Sequence, residues 1–384
     1  MLLVIPDLNW IKTVQKRKVR STVKVLVSIF VLLVAIIFLY QVLVVFLLRE
    51  DGEIQSKEFN GDLFQNPYQN KDWKVASEKV ALHTHSDNVW YTPERHSSKD
   101  IDSIYKKYGY SVLIFTDYGK IQERKEEKEI FSGYEWGLNL RKRHALVIGS
   151  EETVSDLFPF YARRDNVSWT FRKIREKSGY VIIAHPKLND SYTKQDLIQI
   201  QNYNAIEVYS PFGDDAKILD VLLSQGRNVH CMSSDDLHYF PESEIQKLGQ
   251  PKWKDHLQTL MFQRGREGES LKRYISTSFG IKSPNSVKSA LEKGSFYCVK
   301  KHFREAEDPK LPNLNVDKKG LVSLDSSERY LAIRWIGKNG EIRKIDPDTN
   351  NASYQFSETD PYIRVEIVGL TGSILSNAIF RTKK

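Results

Sequence analysis

The amino-acid sequence predicts an α/β protein: a seven-stranded (β/α) barrel with an N-terminal transmembrane helix and a small C-terminal antiparallel β module. Three observations predict this architecture. Short apolar runs alternate with helical patterns between residues 78 and 236, an uninterrupted apolar run covers residues 25–48, and strict alternation appears after residue 315. Because 40% of the 384 residues are hydrophobic, the chain can bury a full core and is not a disordered protein.

The positive charge of the chain is concentrated at its N-terminus. The net charge is +8, and residues 1–24, with six Lys or Arg and one Asp, account for +5 of it. The rest of the chain is therefore close to balanced, and we expect no nucleic-acid partner. Residues 1–24 are instead predicted to be a basic cytoplasmic segment that precedes a membrane span.

The apolar run 25–48 is predicted to be a transmembrane signal anchor. Its 24 residues contain no charge and exceed the ~20 residues that span the hydrocarbon core. The run ends in Leu-Leu-Arg-Glu-Asp without a small-residue cleavage site, which favours an uncleaved anchor over a signal peptide. The preceding Lys and Arg residues predict a single-pass protein with a cytoplasmic N-terminus, and place the domain beyond residue 52 on the extracytoplasmic side, periplasmic or outer face.

Residues 49–77 are polar and turn-rich, and they are predicted to be a tether between the anchor and the barrel. Fully extended, such a tether could reach on the order of 90 Å. The anchor alone would then leave the distance between the barrel and the bilayer open.

Residues 78–310 are predicted to form the barrel domain. Its helical candidates Asp100–Tyr108, Ser168–Lys177 and Asp215–Ser224 are each followed within two residues by Gly, the expected stop signal. The order strand, helix, Gly, strand indicates a parallel sheet or barrel, and seven strands favour a barrel one strand short of the common eight. The strand candidates are Lys79–His83, Ser111–Thr116, Glu129–Tyr134, His144–Ile148, Tyr180–Ala184, Ala205–Tyr209 and Asn228–Ser233.

Two further segments follow the seven strands. Pro284–Lys293 is predicted to be a helix, with Ser283 as N-cap and Gly294 as the stop. Residues 315–384 alternate between apolar and polar and contain Asn339-Gly340 and Thr371-Gly372, which are typical of hairpin turns. They are predicted to form a sandwich-like β module.

Residues with metal chemistry recur at the ends of the predicted strands. Strand C-termini meet at one face of a β/α barrel, so these side chains are expected to converge there. In His83-Thr-His85 the two imidazoles point the same way because alternate residues of an extended chain share a face, so both can reach one ion. The residues are His83, His85, Asp87, Asp117, Glu135, His144, His185, Glu207, Asp236 and His238. Singly each could be structural, Asp117 as a helix cap and Glu207 as half of a buried pair; jointly they predict a polynuclear metal site.

The remaining histidines and the two cysteines are interpreted as structural. His230 lies at the start of its strand and is expected to be packed away from the site, while His96, His256 and His302 are interpreted as surface residues. Cys231 and Cys298 each lie in an apolar stretch, so buried thiols are favoured, with a disulfide left open for an extracytoplasmic protein.

Six motifs in series resemble the polymerase-and-histidinol-phosphatase (PHP) family of metal-dependent phosphoesterases. They span about 160 residues: Leu82-His-Thr-His-Ser-Asp87, the segment from Gly109 to Asp117, Gly133-Tyr-Glu135, the segment from His144 to Gly149, Ile183-Ala-His-Pro186 and Ser234-Asp-Asp-Leu-His238. The resemblance implies a distorted seven-stranded barrel with two or three divalent ions, zinc, manganese or iron. A softer resemblance of the downstream segments, from Gly294 onward, is to a branch that includes carbamate-cleaving members.

The resemblance also implies a distribution of the ligands. His83, His85, Glu135 and Asp236 would hold one ion, Glu135 would bridge to a second ion held by His144 and His185, and His238 would belong to a third, with Asp87 as a further ligand. The family's second motif usually ends in Thr-Asp-His, whereas this sequence has Tyr118 in the last position. The third site is therefore expected to be altered, held by tyrosinate or absent.

Such a site would act as a hydrolase. Two ions a few Å apart would lower the pKa of a bridging water and supply hydroxide at neutral pH, and Arg143 or Lys187 could stabilise the developing charge if they are not surface charges. The favoured prediction is hydrolysis of a phosphomonoester or phosphodiester, small or envelope-derived. The alternatives are a hydrolase of the same fold that cleaves an ester, amide or carbamate, and a non-catalytic binding module.

Overall fold

The computed structural model is a mixed α/β structure with two sheets and one apolar N-terminal helix. The described residues are 8–50, 52, 54, 56–74, 77–89, 91, 92, 96–122, 132–238, 240, 269–278, 280, 281 and 283–383. The helices in these residues are α1 (Leu8–Leu47), α2 (Ser98–Lys107), α3 (Arg164–Glu176), α4 (Lys194–Gln199), α5 (Ala216–Ser224) and α6 (Pro284–Lys293), with 3-10 turns at Leu188–Asp190 and Lys338–Gly340.

The strands divide into a small and a large sheet. The small sheet has the order β4 (Gly133–Trp136), β5 (Ala145–Ile148), β6 (Tyr180–Ile183), β7 (Ala205–Tyr209) and β8 (His230–Ser233). The large sheet contains β1 (Leu63–Gln65), β2 (Ser77–Ala81), β3 (Val112–Leu113), β9 (Arg273–Ser278), β10 (Phe296–Lys301), β11 (Asn313–Val316), β12 (Leu321–Ile336), β13 (Ile342–Gln355), β14 (Tyr362–Val368), β15 (Gly372–Ser376) and β16 (Ile379–Thr382).

The predicted barrel is not closed in this structure. Of the seven predicted strands, the first two lie in the large sheet as β2 and β3, and the other five form the small sheet. β4, β5 and β6 pair antiparallel. The link between β4 and β5 is too short for the dozen or more residues of a parallel crossover, whereas the longer link between β5 and β6 contains α3. Only β6, β7 and β8 pair parallel within the small sheet.

Two isolated parallel bridges join the sheets at one end of the molecule. They pair Thr84 with Leu237 and Tyr118 with Glu135. The bridged residues follow the ends of β2, β3 and β8, or lie in β4, so both bridges lie at the end where the parallel strands terminate. We call this end the strand-end face.

Local signals place the helices where the sequence predicts them. α6 has the predicted bounds: the Ser283 side chain accepts a hydrogen bond from Ser286 N (3.2 Å), and Gly294 ends the helix with a φ of 65° that favours glycine. In α2, Ser97 Oγ accepts from Asp100 N at 3.2 Å. The apolar faces of α3 and α5 are buried in the core that also holds β4–β8.

The C-terminal strands are antiparallel, and they are hydrogen-bonded into the large sheet. β12 pairs with β13 and β14, β14 pairs with β15 across the predicted turn at Thr371-Gly372, and β15 pairs with β10. The turn Asn339-Gly340 connects β12 to β13 as predicted. The domain boundaries stay predictions.

The described part of the predicted tether is packed on the body. Its strand β1 pairs with β16, and Lys57 N donates to Gly226 O at 2.8 Å. Three aromatic residues fix it further: Phe59 stacks on Phe380 with ring centroids 4.3 Å apart, and the side chains of Tyr68 and Trp73 are buried. The described residues of this segment therefore do not extend away from the body, because their aromatic side chains have partners far along the chain.

The two cysteines form a disulfide. Cys231 in β8 and Cys298 in β10 have Cα atoms 6.4 Å apart and are bonded through their sulfurs. The favoured interpretation of buried free thiols is wrong, although both residues are fully buried as expected. The disulfide links the small sheet to the large one.

Candidate metal centre

Six of the predicted metal ligands meet at the strand-end face. They form two groups in which the ligand atoms lie within 4.8 Å of one another, and Glu135 belongs to both. The first group is His83, His85, Glu135 and Asp236, and the second is Glu135, His144 and His185. All six side chains are buried.

The first group converges on a single point. Asp236 Oδ1 lies 2.9 Å from His83 Nε2 and 3.2 Å from His85 Nε2. Glu135 Oε2 lies 3.6 Å and 3.2 Å from the same two nitrogens. Two imidazoles and two carboxylates in this arrangement are a common ligand set for zinc and other first-row metals.

The second group uses the other oxygen of Glu135. His144 Nδ1 lies 2.7 Å from Glu135 Oε1, and His185 Nε2 lies 3.2 Å from it. Each oxygen of this one carboxylate thus faces a different set of imidazoles. The geometry suits a carboxylate that bridges two ions.

The hydrogen-bond pattern fits a bound cation. Among the described residues, His83 Nε2, Glu135 Oε2 and His144 Nδ1 are buried atoms without a well-formed hydrogen bond. Buried polar atoms in that condition cost about 1–3 kcal/mol each. One divalent ion in each group would together satisfy all three atoms, so the residues present fit the metal ions that the sequence implies.

The charges in the centre are strongly coupled. Burial raises the pKa of Glu135, but the neighbouring His144 and His83 outweigh it and hold that pKa well below its ordinary value. Burial likewise lowers the pKa of His85, while hydrogen bonds with Asp236 and Glu135 raise it to about 10. Buried carboxylates at this density need positive charge beside them, which protons on the imidazoles or metal ions can supply.

Glu207, one of the residues in the predicted constellation, lies outside both groups and forms hydrogen bonds with their histidines. Its Oε1 lies 2.8 Å from His83 Nδ1 and accepts a short hydrogen bond from Ser234 Oγ, and its Oε2 accepts from His185 N at 2.6 Å. A carboxylate that accepts the Nδ1 proton of a histidine leaves Nε2 free to bind metal. A glutamate in the middle of the apolar strand β7 was the signal for this role.

Two ligands have strained backbone. His185 has a φ of 27° and Asp236 a φ of 45°, in the left-handed region that non-glycine residues rarely occupy. Such residues cost about 1–3 kcal/mol each and are concentrated at functional sites. The strain turns both side chains into the centre from loops that follow β6 and β8.

The residues implied for a third ion lie outside both groups. Asp87 is exposed, and its backbone N donates to His96 O. His238 stacks on His85 with ring centroids 4.5 Å apart, and its Nε2 lies 3.1 Å from Asp236 Oδ1. Tyr118 stacks on the His85 ring at 4.7 Å. A third ion stays a prediction.

The two predicted cationic residues are engaged elsewhere. The buried Arg143 guanidinium donates to Ser191 O and Ala162 O and forms an ion pair with Asp196 at 2.8 Å, so it holds loops together. Lys187 is half-exposed, and its Nζ donates to Asp214 O at 2.8 Å. Neither contact directs positive charge to the candidate ligands.

The sequence also led to predictions for Asp117 and for histidines outside the motifs. Asp117 accepts from Ser86 N at 2.6 Å and fixes the loop after His85, so it positions a ligand without belonging to either group. His96 is buried against the Phe240 ring, and its interpretation as a surface residue is wrong. His230 is packed away from the centre as predicted, and His256 lies outside the described residues.

Comparison with known proteins gives similarity only to solved structures. No family model and no curated protein matches the chain. A similar solved structure is the crystal structure of a two-domain protein containing a predicted PHP-like metal-dependent phosphoesterase from Bacteroides vulgatus ATCC 8482. The TM-score is 0.43 at 12% identity, and the match covers 87% of this chain and 92% of that one. At that level the similarity carries no functional assignment.

Proposed function

We propose that the chain is a membrane-anchored, extracytoplasmic, metal-dependent phosphoesterase. The observation that carries the proposal is the division of the Glu135 carboxylate between two sets of imidazoles, one set on each oxygen. Sites that hold two ions through a shared carboxylate are typical of enzymes that hydrolyse phosphate esters.

The residues of the chain have distinct roles in this proposal. His83, His85 and Asp236 would hold the first ion, His144 and His185 would hold the second, and Glu135 would contribute to both sites. When bound, the two ions supply Lewis acidity and lower the pKa of water so that it becomes a nucleophile at neutral pH. Glu207 keeps the proton of His83 on Nδ1, and the buried position of the ligands excludes bulk water.

The anchor part of the proposal rests on helix α1. Its stretch Thr22–Leu47 is long and apolar enough to cross a membrane. Asn166 Nδ2 donates to the backbone oxygens of Val45 (2.9 Å) and Leu48 (2.6 Å), so the end of the helix is bonded to the body. An element built into the body in this way suits a permanent anchor better than a removable signal sequence.

The extracytoplasmic location has two supports. Six Lys or Arg precede the apolar run, which favours a cytoplasmic N-terminus. The chain contains the disulfide Cys231–Cys298, and disulfides are typical of proteins that mature in an oxidising compartment. We therefore place residues beyond α1 outside the cytoplasm.

The test uses the full chain in detergent and a His83→Ala/His85→Ala double variant. Elemental analysis would measure bound metal, and hydrolysis of an aryl phosphate with added manganese or zinc would measure turnover. We expect at least two ions per chain, with turnover lost in the double variant and retained in His302→Ala, a control at a histidine outside both groups. If the protein binds metal but cleaves only aryl carboxyl esters, the site is that of an esterase acting on acyl substrates and not of a phosphoesterase. The absence of bound metal would overturn the proposal.

A further inference from the structure

The body of the protein lies alongside the last two turns of α1. Gln41 is buried, and Val44, Val45 and Leu48 pack against the core, while Leu43, Phe46 and Leu47 on the other side are exposed. Gln41 Nε2 donates to Tyr161 O (3.0 Å), and Gln41 Oε1 accepts from Phe160 N (3.3 Å). The contact between the body and α1 therefore begins at Gln41, within the apolar stretch Thr22–Leu47.

The length of the free part of α1 places this contact in the bilayer. Beyond Lys24, the sixteen residues 25–40 are exposed on all sides. At about 1.5 Å per residue they cover about 24 Å, whereas the hydrocarbon core is about 30 Å thick. The outer leaflet must then continue for about 6 Å along residues 41–44, where the body already touches the helix.

The path of the chain after α1 shows which end of the body faces the membrane. Glu50 N donates to Asp165 O at the start of α3, and Lys57 N donates to Gly226 O beyond the end of α5. α3 and α5 both begin at the strand-end face and run away from it, since each leads into the start of a parallel strand, β6 or β8. After α1 the chain therefore runs along the body away from the strand-end face. Helix α1 itself projects outward from the strand-end face.

Two loops at this face present apolar side chains next to α1. One loop, residues 137–143, exposes Leu138 and Leu140, and the other, residues 159–164, exposes Phe160 and Tyr161. Leu140 N donates to Pro159 O at 3.2 Å, so the loops are neighbours. We call these four side chains the apolar rim. Large exposed apolar side chains beside a membrane span are typical of a surface that enters the interface.

Basic residues accompany the apolar rim. Arg141, Arg163 and Arg164 line an open cavity of about 620 Å³ beside it. The Arg141 guanidinium lies 5.9 Å from the centre of the Tyr161 ring. Acidic partners offset part of the charge, because Arg163 pairs with Asp165 and Arg164 with Asp196. Arginine and tyrosine at this level suit the headgroup region, where anionic lipids attract basic side chains.

The apolar rim is close to the metal centre along the chain. The loop 137–143 connects Glu135 to His144, and both are candidate ligands. Because consecutive Cα atoms are about 3.8 Å apart, the Cα of Leu138 lies within about 11 Å of the Cα of Glu135. The headgroup layer is itself about 5–8 Å thick. A phosphate in a lipid headgroup is therefore within short reach of the centre.

We propose that the apolar rim inserts into the outer leaflet and that the metal centre acts on a phosphoester carried by a lipid in that leaflet. The substrate assignment rests on the proposed phosphoesterase function and narrows it to membrane-borne esters. The bilayer contact itself requires only that α1 spans the membrane.

The contact is tested with the full chain in vesicles of phosphatidylcholine and phosphatidylglycerol. Leu138→Cys would carry a thiol-reactive fluorophore; the native cysteines are joined to each other and do not react. Ile342→Cys is the matched control, with 53% exposure against 55% for Leu138, beside a turn bonded to Ser224 at the far end of α5. We expect brominated acyl chains to quench the Leu138 label at least twofold more than the Ile342 label. Equal quenching would overturn the contact.

The substrate class is tested with two diesters that differ only in one chain, ethyl 4-nitrophenyl phosphate in water and hexadecyl 4-nitrophenyl phosphate in the same vesicles. We expect the Leu138→Ser/Leu140→Ser variant to lower the ratio of lipid-borne to soluble turnover at least tenfold, with the ratio unchanged in Ile342→Ser. An unchanged ratio in the rim variant would overturn the substrate assignment. Failure of the native protein to cleave either diester or an aryl phosphate would instead overturn the phosphoesterase proposal and leave the quenching result standing.

Discussion

Replacement of Glu207 by Gln tests whether the carboxylate behind the ligands controls metal affinity. The carboxylate has two oxygens and three donors: His83 Nδ1 at 2.8 Å, His185 N at 2.6 Å, and Ser234 Oγ. Glutamine has the same shape but one oxygen and one NH2 group. In the Gln variant at least one of the three donors must therefore face the NH2 group instead of an oxygen. That donor then loses its hydrogen bond unless it can act as an acceptor, as His83 can by moving its proton from Nδ1 to Nε2.

Both orientations of the amide damage the centre. If the NH2 group faces His83, the imidazole must accept at Nδ1, and its proton moves to Nε2, the atom that would bind the first ion. If the NH2 group faces His185 N, two donors oppose each other at a residue whose backbone is already strained, with a φ of 27°. Loss of such supporting hydrogen bonds lowers metal affinity by about 10–100-fold, or about 1.4–2.7 kcal/mol.

The affinity is measured by titrating metal-free protein with zinc in competition with a chromophoric chelator. Glu78→Gln is the control, because Glu78 is also buried, accepts from Gly280 N at 3.1 Å, and lies in β2 away from the strand-end face. We expect the control to keep the native zinc affinity. A folded Glu207→Gln protein with both zinc affinities within twofold of the native values would refute the reasoning.

Two further predictions concern stability. The disulfide closes a loop with a sequence separation of 67, so Cys231→Ala/Cys298→Ala should lower the free energy of unfolding by up to about 4 kcal/mol in urea titrations; a loss below 1 kcal/mol would contradict this. Burial lowers the pKa of His230 from 6.5 to about 4. Because the unfolded chain binds the proton first, the free energy of unfolding should fall by up to about 3 kcal/mol as pH falls from 6.5 to 4. His230→Asn should remove that part of the pH dependence, and an identical pH profile in the variant would count against it.

Local signals explain why some elements could be predicted from sequence. The bounds of α6 follow from Ser283, Pro284 and Gly294, and those of β7 from a short apolar run between polar segments. The positions of the candidate ligands followed from the same kind of signal, since each lies next to a recognisable strand. A side chain at the end of a strand can be assigned to one end of the sheet even when the order of the strands is unknown.

Features that depend on distant pairing could not be predicted in this way. Segment 49–77 was interpreted as a tether because its partners, Gly226 and β16, lie more than 160 residues away. The barrel was expected to close because seven strands were counted, whereas closure depends on which edges meet. Glu207 was named from the sequence, but its contacts were not predicted: residues 205 and 207 share one face of β7, and a carboxylate on a fully buried face needs partners there.

The bonds that join the two sheets and the bonds that position the ligands are largely the same. His85 N donates to Leu237 O at 2.9 Å, and Leu237 N donates to His83 O at 3.2 Å, so a ladder between the sheets runs through the His-x-His motif. The motif follows β2 in the large sheet, while Glu135 and Asp236 belong to or follow strands of the small sheet. An ion held by these four side chains would therefore cross-link the sheets where continuous strand pairing stops. The candidate ligands therefore lie where isolated bridges alone join the two sheets among the described residues, and the left-handed backbone of Asp236 directs its carboxylate into that junction.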